Sequence, residues 1–292
     1  MVSASPEELA ALESTLLNTN GSIPLAQRFR ALFTLKAIKS NESIDIISKE
    51  NRNEDPMVRH EAAEAMGAIS ATSAIPVLQK YLNDPERAVR ETCEIALAKI
   101  EWDAANKEAS TSSADAGYTS VDPAPASTSG LLRGAPAANS PSVPQLRTVL
   151  LDKSETLFAR YRAMFALRNI GTDEAILALA DGFDDDSALF KHEIAFVFGQ
   201  MSAPASVPAL LKVLKDESEH EMVRHEAAEA LGGIATGDVL PHLREYASRA
   251  GAPRVVRESC VVALDMYEYE NSSEFQYADG LAQAARENVA TA

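Results

Sequence analysis

Apolar positions along most of this chain recur every three or four residues. Val58, Ala62, Ala65, Met66 and Ile69 are spaced i, i+4, i+7, i+8, i+11, which places them on one stripe of an α-helix. His60, Glu61 and Glu64 fall on a different arc of that helix. Val223, Ala227, Ala230, Leu231 and Ile234 repeat the stripe, with His225, Glu226 and Glu229 on the polar arc. The apolar residues are mostly Ala and Leu, and aromatics are only 6%. Ala and Leu lose little or no side-chain freedom in a helix, so the pattern predicts an all-α chain.

The two stripes belong to a longer internal match. Pro56-Met57-Val58-Arg59-His60-Glu61-Ala62-Ala63-Glu64-Ala65-Met66-Gly67 reappears as Glu221-Met222-Val223-Arg224-His225-Glu226-Ala227-Ala228-Glu229-Ala230-Leu231-Gly232, an offset of 225 − 60 = 165. Earlier, Arg28-Phe29-Arg30-Ala31-Leu32-Phe33-Thr34-Leu35 matches Arg160-Tyr161-Arg162-Ala163-Met164-Phe165-Ala166-Leu167 at an offset of 162 − 30 = 132. The offsets differ by 33, which is also the separation of His192-Glu193 from His225-Glu226. One repeat unit is therefore 33 residues, and the N-terminal half lacks one, the counterpart of about 171–203. A period of this length means stacked helix pairs. The Thr-Pro-Leu-His turn of ankyrin repeats and the Trp/Tyr pattern of tetratricopeptide repeats are absent, which leaves short HEAT-like repeats. Ser73-Ala74-Ile75-Pro76-Val77-Leu78 and Ala205-Ser206-Val207-Pro208-Ala209-Leu210 suit them, with Pro near a helix start where a missing N–H costs nothing. Each repeat then supplies an outer and an inner helix, and the polar arc of the inner helices is expected to face a concave surface.

Residues 104–144 break the pattern. They are rich in Ala, Ser, Thr, Gly and Pro, as in Val121-Asp122-Pro123-Ala124-Pro125, and read as a flexible linker. The expected organisation is an N-terminal half over 1–103, the linker, and a C-terminal half over 145–292. The fold class is an all-α solenoid of HEAT-like helical repeats in two pseudo-symmetric halves.

Charge narrows the partners. A formal net charge of -16 repels nucleic acid phosphates and anionic lipids and favours a basic partner or a polyamine-like group. Cys93 and Cys260 occupy matching places, in Arg90-Glu91-Thr92-Cys93 and Arg257-Glu258-Ser259-Cys260. They read as core residues with no disulfide, as in a reducing compartment. No apolar run approaches the roughly 18 residues of a membrane helix, and residues 1–12 lack the basic start of a secretory signal. These features predict a cytoplasmic protein with no membrane and no nucleic acid partner.

The candidate chemistry lies in the histidines. Acidic residues number 43 of 292, so about one His in seven would precede an acid by chance; His60, His192, His220 and His225 all precede Glu. His220-Glu221 is out of repeat register and reads as a solvated loop pair; His242 has no repeated partner and reads as structural. Consecutive inner helices pack about 8–10 Å apart, so His192 and His225 can point at one spot, with Glu226 100° further round its helix. Two imidazoles and a carboxylate with open positions describe the facial triad of non-haem Fe(II) oxygenases. The pattern leaves open a second reading, in which the His-Glu pairs are the solvated face of a non-catalytic HEAT-like scaffold that binds a basic protein. A zinc peptidase is disfavoured, since Glu64 stands where that motif needs a second His.

The two HEAT-like halves, the Ala/Pro linker and the Val-Arg-His-Glu phrases resemble the deoxyhypusine hydroxylases. So do Tyr161-Arg162-Ala163-Met164-Phe165-Ala166-Leu167-Arg168-Asn169, Ser187-Ala188-Leu189-Phe190-Lys191-His192-Glu193 and Phe275-Gln276-Tyr277-Ala278-Asp279-Gly280-Leu281. The resemblance covers nearly the whole chain apart from the linker and the extreme N-terminus. It implies a monooxygenase of hypusine biosynthesis that hydroxylates the deoxyhypusine side chain of a eukaryotic translation initiation factor, using molecular oxygen and two Fe(II) ions held by four His-Glu pairs. Carried over by motif, His192, His225 and Glu226 are ligands of one iron, and His60 and Glu61 are two of the three ligands of the other. Glu193 meets the substrate's amines or completes the metal site. The family's first His-Glu pair falls in the unit that is missing here, so one iron site is expected to be incomplete and activity impaired.

Overall fold

The computed structural model of the chain describes residues 4–23, 25–50, 56–106, 121–127 and 141–272. Much of the expected linker and the Phe275–Leu281 motif lie outside the described residues. Within them the chain is helical and has no strand. The helices are α1 (Pro6–Leu17), α2 (Leu25–Ile38), α3 (Asn41–Glu50), α4 (Pro56–Ala68), α5 (Ile75–Tyr81), α6 (Arg87–Ala105), α7 (Val143–Leu151), α8 (Leu157–Ile170), α9 (Asp173–Ala180), α10 (Ala188–Met201), α11 (Val207–Lys215), α12 (Glu221–Ile234), α13 (Leu240–Ser248) and α14 (Arg254–Glu270). They pair in chain order, and the even-numbered helices are the inner ones.

The chain divides into two compact units, Met1–Met201 and Ser202–Ala292. In the first, α2 packs on α4, α4 on α6, and α6 on both α8 and α10. In the second, α11 packs on α12, and α14 packs on α12 and α13. Most of each predicted stripe is buried: Val58, Ala62 and Met66 are fully covered in the first unit, and Val223, Ala227 and Leu231 in the second, while Ile69 and Ile234 at the stripe ends are only partly covered. Pro76 and Pro208 sit in the first turn of α5 and α11, as their sequence context requires.

Two repeated devices set the helix spacing. The first is a buried Arg on an inner helix. Arg28, Arg160 and Arg224 each donate from Nε to a carbonyl at the end of the preceding outer helix, Leu16 (3.0 Å), Leu150 (2.9 Å) and Leu214 (3.2 Å). Those carbonyls have no partner within their own helix, so the guanidinium joins the pair by satisfying one of them. Arg59 and Arg160 also reach the next repeat. Arg59 forks onto Asp84 at 2.9 and 2.8 Å, and Arg160 bonds Asp185 at 2.6 Å. The second device is a glycine at the end of the Val-Arg-His-Glu helix. A Cβ on Gly67 would lie 2.8 Å from Ala96 Cβ, and one on Gly232 would lie 2.5 Å from the Ala263 carbonyl oxygen. Only glycine lets α4 approach α6, and α12 approach α14, this closely.

The absent repeat is visible in the helix order. Between α8 and its later relative α12 stand α9, α10 and α11, whereas between the matching α2 and α4 stands α3 alone. So α2 packs on α4, while α8 packs on α10. Phe165 of α8 is fully buried, but its counterpart Phe33 of α2 is 50% exposed, against a neighbouring Phe29 ring 6.4 Å away.

The described part of the linker is held in place. Asp122 accepts two bonds from Arg168 at 2.7 and 2.6 Å, Arg162 donates to the Pro125 carbonyl, and the Ser127 amide donates to the Arg162 carbonyl. Ala124 is fully buried. Residues 121–127 are therefore docked on α8.

Candidate metal centre

Within the first unit, α4 and α10 bring two of the predicted ligands together. His60 is 1% exposed and His192 6%. Their rings meet edge to face, with centroids 5.6 Å apart and planes at 83°. Repeat register reports only neighbouring helices of one stack, so it gave no sign of this pairing. His60 Nδ1 lies 2.7 Å from Thr92 Oγ1 on α6, and His60 Nε2 lies 3.8 Å from Glu61 Oε1. Glu193, next to His192, is also buried.

His60 is covered because α6, held close by the Gly67–Ala96 contact, lies across it. Burial raises the strength of any charge or dipole placed there, since little water remains to screen it.

A narrow cleft adjoins His60. Its walls include Glu64, Thr92, Pro123, Tyr161 and Glu193. Glu64 pairs with Lys36 at 3.5 Å. Tyr161 is 1% exposed, and burial first, then the carboxylates of Glu193, Glu91 and Glu64, hold its hydroxyl protonated well above the usual tyrosine range. Tyr161 and Pro123 were not assigned to the site from sequence. Nothing in a helical period separates a pocket tyrosine from a core tyrosine, and Pro123 lay in a stretch read as linker. Glu91 braces the region: it accepts from Ser187 at 2.6 Å and from Arg87 at 2.6 Å, and Arg87 also pairs with Asp186 at 3.0 Å.

In the second unit, α12 carries His225, 7% exposed, and a half-buried Glu226. His225 Nδ1 is 3.6 Å from Glu229 Oε1, and that oxygen accepts a bond from Ser259 on α14 at 2.7 Å. The two other histidines are structural. His220 is the N-cap of α12, where its Nδ1 accepts from the Met222 amide, and His242 Nε2 lies 3.1 Å from Lys215 Nζ. Cys93 and Cys260 are free thiols, fully buried; burial pushes each up to about 12.

The donor set fits a metal of the iron type. Imidazole nitrogens and carboxylate oxygens, with no thiolate among them, suit Fe(II), Mn(II) or Zn(II). Two buried imidazoles side by side, with a carboxylate beside the first, are an arrangement that a simple apolar core does not need.

Comparison with known proteins agrees with the fold and names the family. HEAT repeats match residues 25–98 and 183–265, and the PBS lyase HEAT-like repeat matches 159–185. Deoxyhypusine hydroxylase of Lentinula edodes is 55% identical over 322 aligned positions, covering 96% of this chain and 97% of that protein. The Cryptococcus neoformans enzyme is 45% identical over 348, covering 99% and 93%. Both alignments are longer than the 292 residues of this chain, so the relatives carry residues that it lacks. The solved structure of human deoxyhypusine hydroxylase in complex with glycerol superposes with a TM-score of 0.66 at 38% identity, covering 90% of this chain and 96% of that one. Identity at this level over nearly the full length of both partners is decisive: this chain belongs to the deoxyhypusine hydroxylase family.

Proposed function

We propose that the chain hydroxylates the deoxyhypusine side chain of a eukaryotic translation initiation factor, using molecular oxygen and Fe(II). The observation that carries this reading is the buried edge-to-face pair of His60 and His192, set beside a cleft walled by carboxylates. His192, His225 and Glu226 hold one iron, by repeat register and family resemblance. His60 and Glu61 hold the other and lack a third ligand from the missing unit. When bound, iron supplies the activation of molecular oxygen that insertion into a C–H bond requires.

The chain's own residues do the rest. Glu193 and Glu64 face the cleft and hold the protonated amines of the substrate by charge-assisted hydrogen bonds. Tyr161 stays protonated beside them and donates to the Leu189 carbonyl at 3.4 Å, which keeps its hydroxyl at the cleft wall. Ile95, Ala96 and Pro123 supply apolar surface that limits water around the reacting carbon.

The missing unit sets the expected activity. Full-length chain loaded anaerobically with Fe(II) is expected to hold nearer one iron than two, and to add oxygen slowly to a deoxyhypusine-bearing substrate protein, read by mass spectrometry. Inserting a copy of residues 171–203 between Ile38 and the His60 helix is expected to raise both iron content and turnover. Two irons with full turnover in the unmodified chain would refute the incomplete site. Absence of any iron would refute the metal assignment, and binding of the substrate protein without turnover would favour a scaffold.

A further inference from the structure

The matching phrases Arg90-Glu91-Thr92-Cys93 and Arg257-Glu258-Ser259-Cys260 place a hydroxyl residue at one position of α6 and of α14. Thr92 meets the histidine of the preceding inner helix, with Oγ1 at 2.7 Å from His60 Nδ1. Ser259 instead donates to Glu229 Oε1 at 2.7 Å, and that oxygen stands 3.6 Å from His225 Nδ1, outside hydrogen-bond reach.

The direction of the Thr92–His60 contact follows from proton counting. A threonine hydroxyl has one proton, and Thr92 gives it to the Ala88 carbonyl one turn back, at 2.7 Å. Its lone pair is what His60 meets, so Nδ1 carries the ring proton and Nε2 is the unprotonated nitrogen.

We propose that Thr92 is a positioning residue that locks His60 as its Nδ1–H tautomer and so presents Nε2 of that ring to the metal. The proposal rests on the iron reading above, but the tautomer exists without metal.

The test uses full-length, metal-free chain labelled with 15N-histidine, at a mildly alkaline pH that favours the neutral ring. Long-range 1H–15N spectra distinguish the two ring forms, and His60→Gln and His225→Gln assign the signals. His60 is expected to show a protonated Nδ1 and an unprotonated Nε2. Thr92→Val keeps the shape, removes the acceptor, and is expected to mix the His60 tautomers and weaken Fe(II) binding about 10–100-fold. Thr92→Ser is expected to restore both, which a purely structural role would not predict. A wild-type His60 protonated on Nε2 would overturn the proposal without recourse to any variant. So would a Thr92→Val chain that keeps the wild-type tautomer and iron affinity. An Nδ1–H His60 in a wild-type chain that binds no Fe(II) would uphold the ring positioning and refute the iron reading.

Discussion

Asp84→Ala is expected to be among the most damaging single changes outside the site. The Asp84 side chain is 3% exposed and that of its partner Arg59 9%. Asp84 accepts from Arg59 Nε at 2.9 Å, from Arg59 Nη2 at 2.8 Å and from the Glu86 amide at 2.9 Å. Truncation leaves a buried guanidinium without its counter-charge. Removing one partner of such a pair costs about 3–5 kcal/mol, where a surface pair costs about 0–1. With a urea dependence of about 2–3 kcal/mol per molar for a chain of this size, the unfolding midpoint falls by about 1–2.5 M. Far-UV circular dichroism in urea reads this directly. Arg59→Met combined with Asp84→Leu is expected to be less unstable than Asp84→Ala alone, since no charge is then stranded. A midpoint shift below about 0.3 M for Asp84→Ala, or a double variant as unstable as the single one, would show that the pair behaves as a solvated one and does not anchor α4.

Other outcomes follow from the same structure. His225→Ala is expected to lower Fe(II) content more than His60→Ala, because it strikes the site with the fuller ligand set; metal analysis after anaerobic loading reads the order, and the reverse order would reject the assignment. Binding of the basic substrate protein is expected to weaken as salt rises, given the -16 charge and a screening length of about 8 Å at physiological ionic strength; affinity constant across a salt series would count against an electrostatic cleft. The two buried thiols link stability to high pH. Their folded values, about 12, lie above the ordinary 9.0, so their contribution is intact below pH 9 and is lost as pH rises towards 12. Cys93→Ala/Cys260→Ala should flatten that loss, and native chain at pH 8 should resist alkylation; rapid labelling of either thiol would contradict its burial.

The helices and their period were legible because burial of one stripe imposes a 3.6-residue rhythm on Val58, Ala62 and Met66 that no other fold requires. The missing unit was legible from two offsets alone, and α3 standing where three helices stand between α8 and α12 is its structural form. The candidate site was only half readable. Repetition singled out His60, His192 and His225, but not that α6 would cover His60, since a polar arc looks the same in sequence whether it meets water or another helix. Nothing in the repeat pattern singled out Arg28, Arg59 and Arg224, which are buried joints. Thr92 carried no signal by itself; only its match with Ser259 sets it apart.

The close contacts at Gly67 and Gly232 have a consequence for precision. Where helices are separated by long side chains, their spacing drifts with every rotamer change, and a ligand carried on one of them wanders accordingly. Here α4 meets Ala96 of α6, and α12 meets Ala263 of α14, with almost nothing compressible between. Hard backbone contact acts as a mechanical stop, placed less than two helical turns beyond His60 in one unit and beyond His225 in the other. Thr92 and Ser259, one turn before those alanines, inherit the same datum. Positional error at each histidine is therefore set by the stiffness of two short helical segments, which allows a solenoid otherwise free to flex between repeats to keep its donor atoms still.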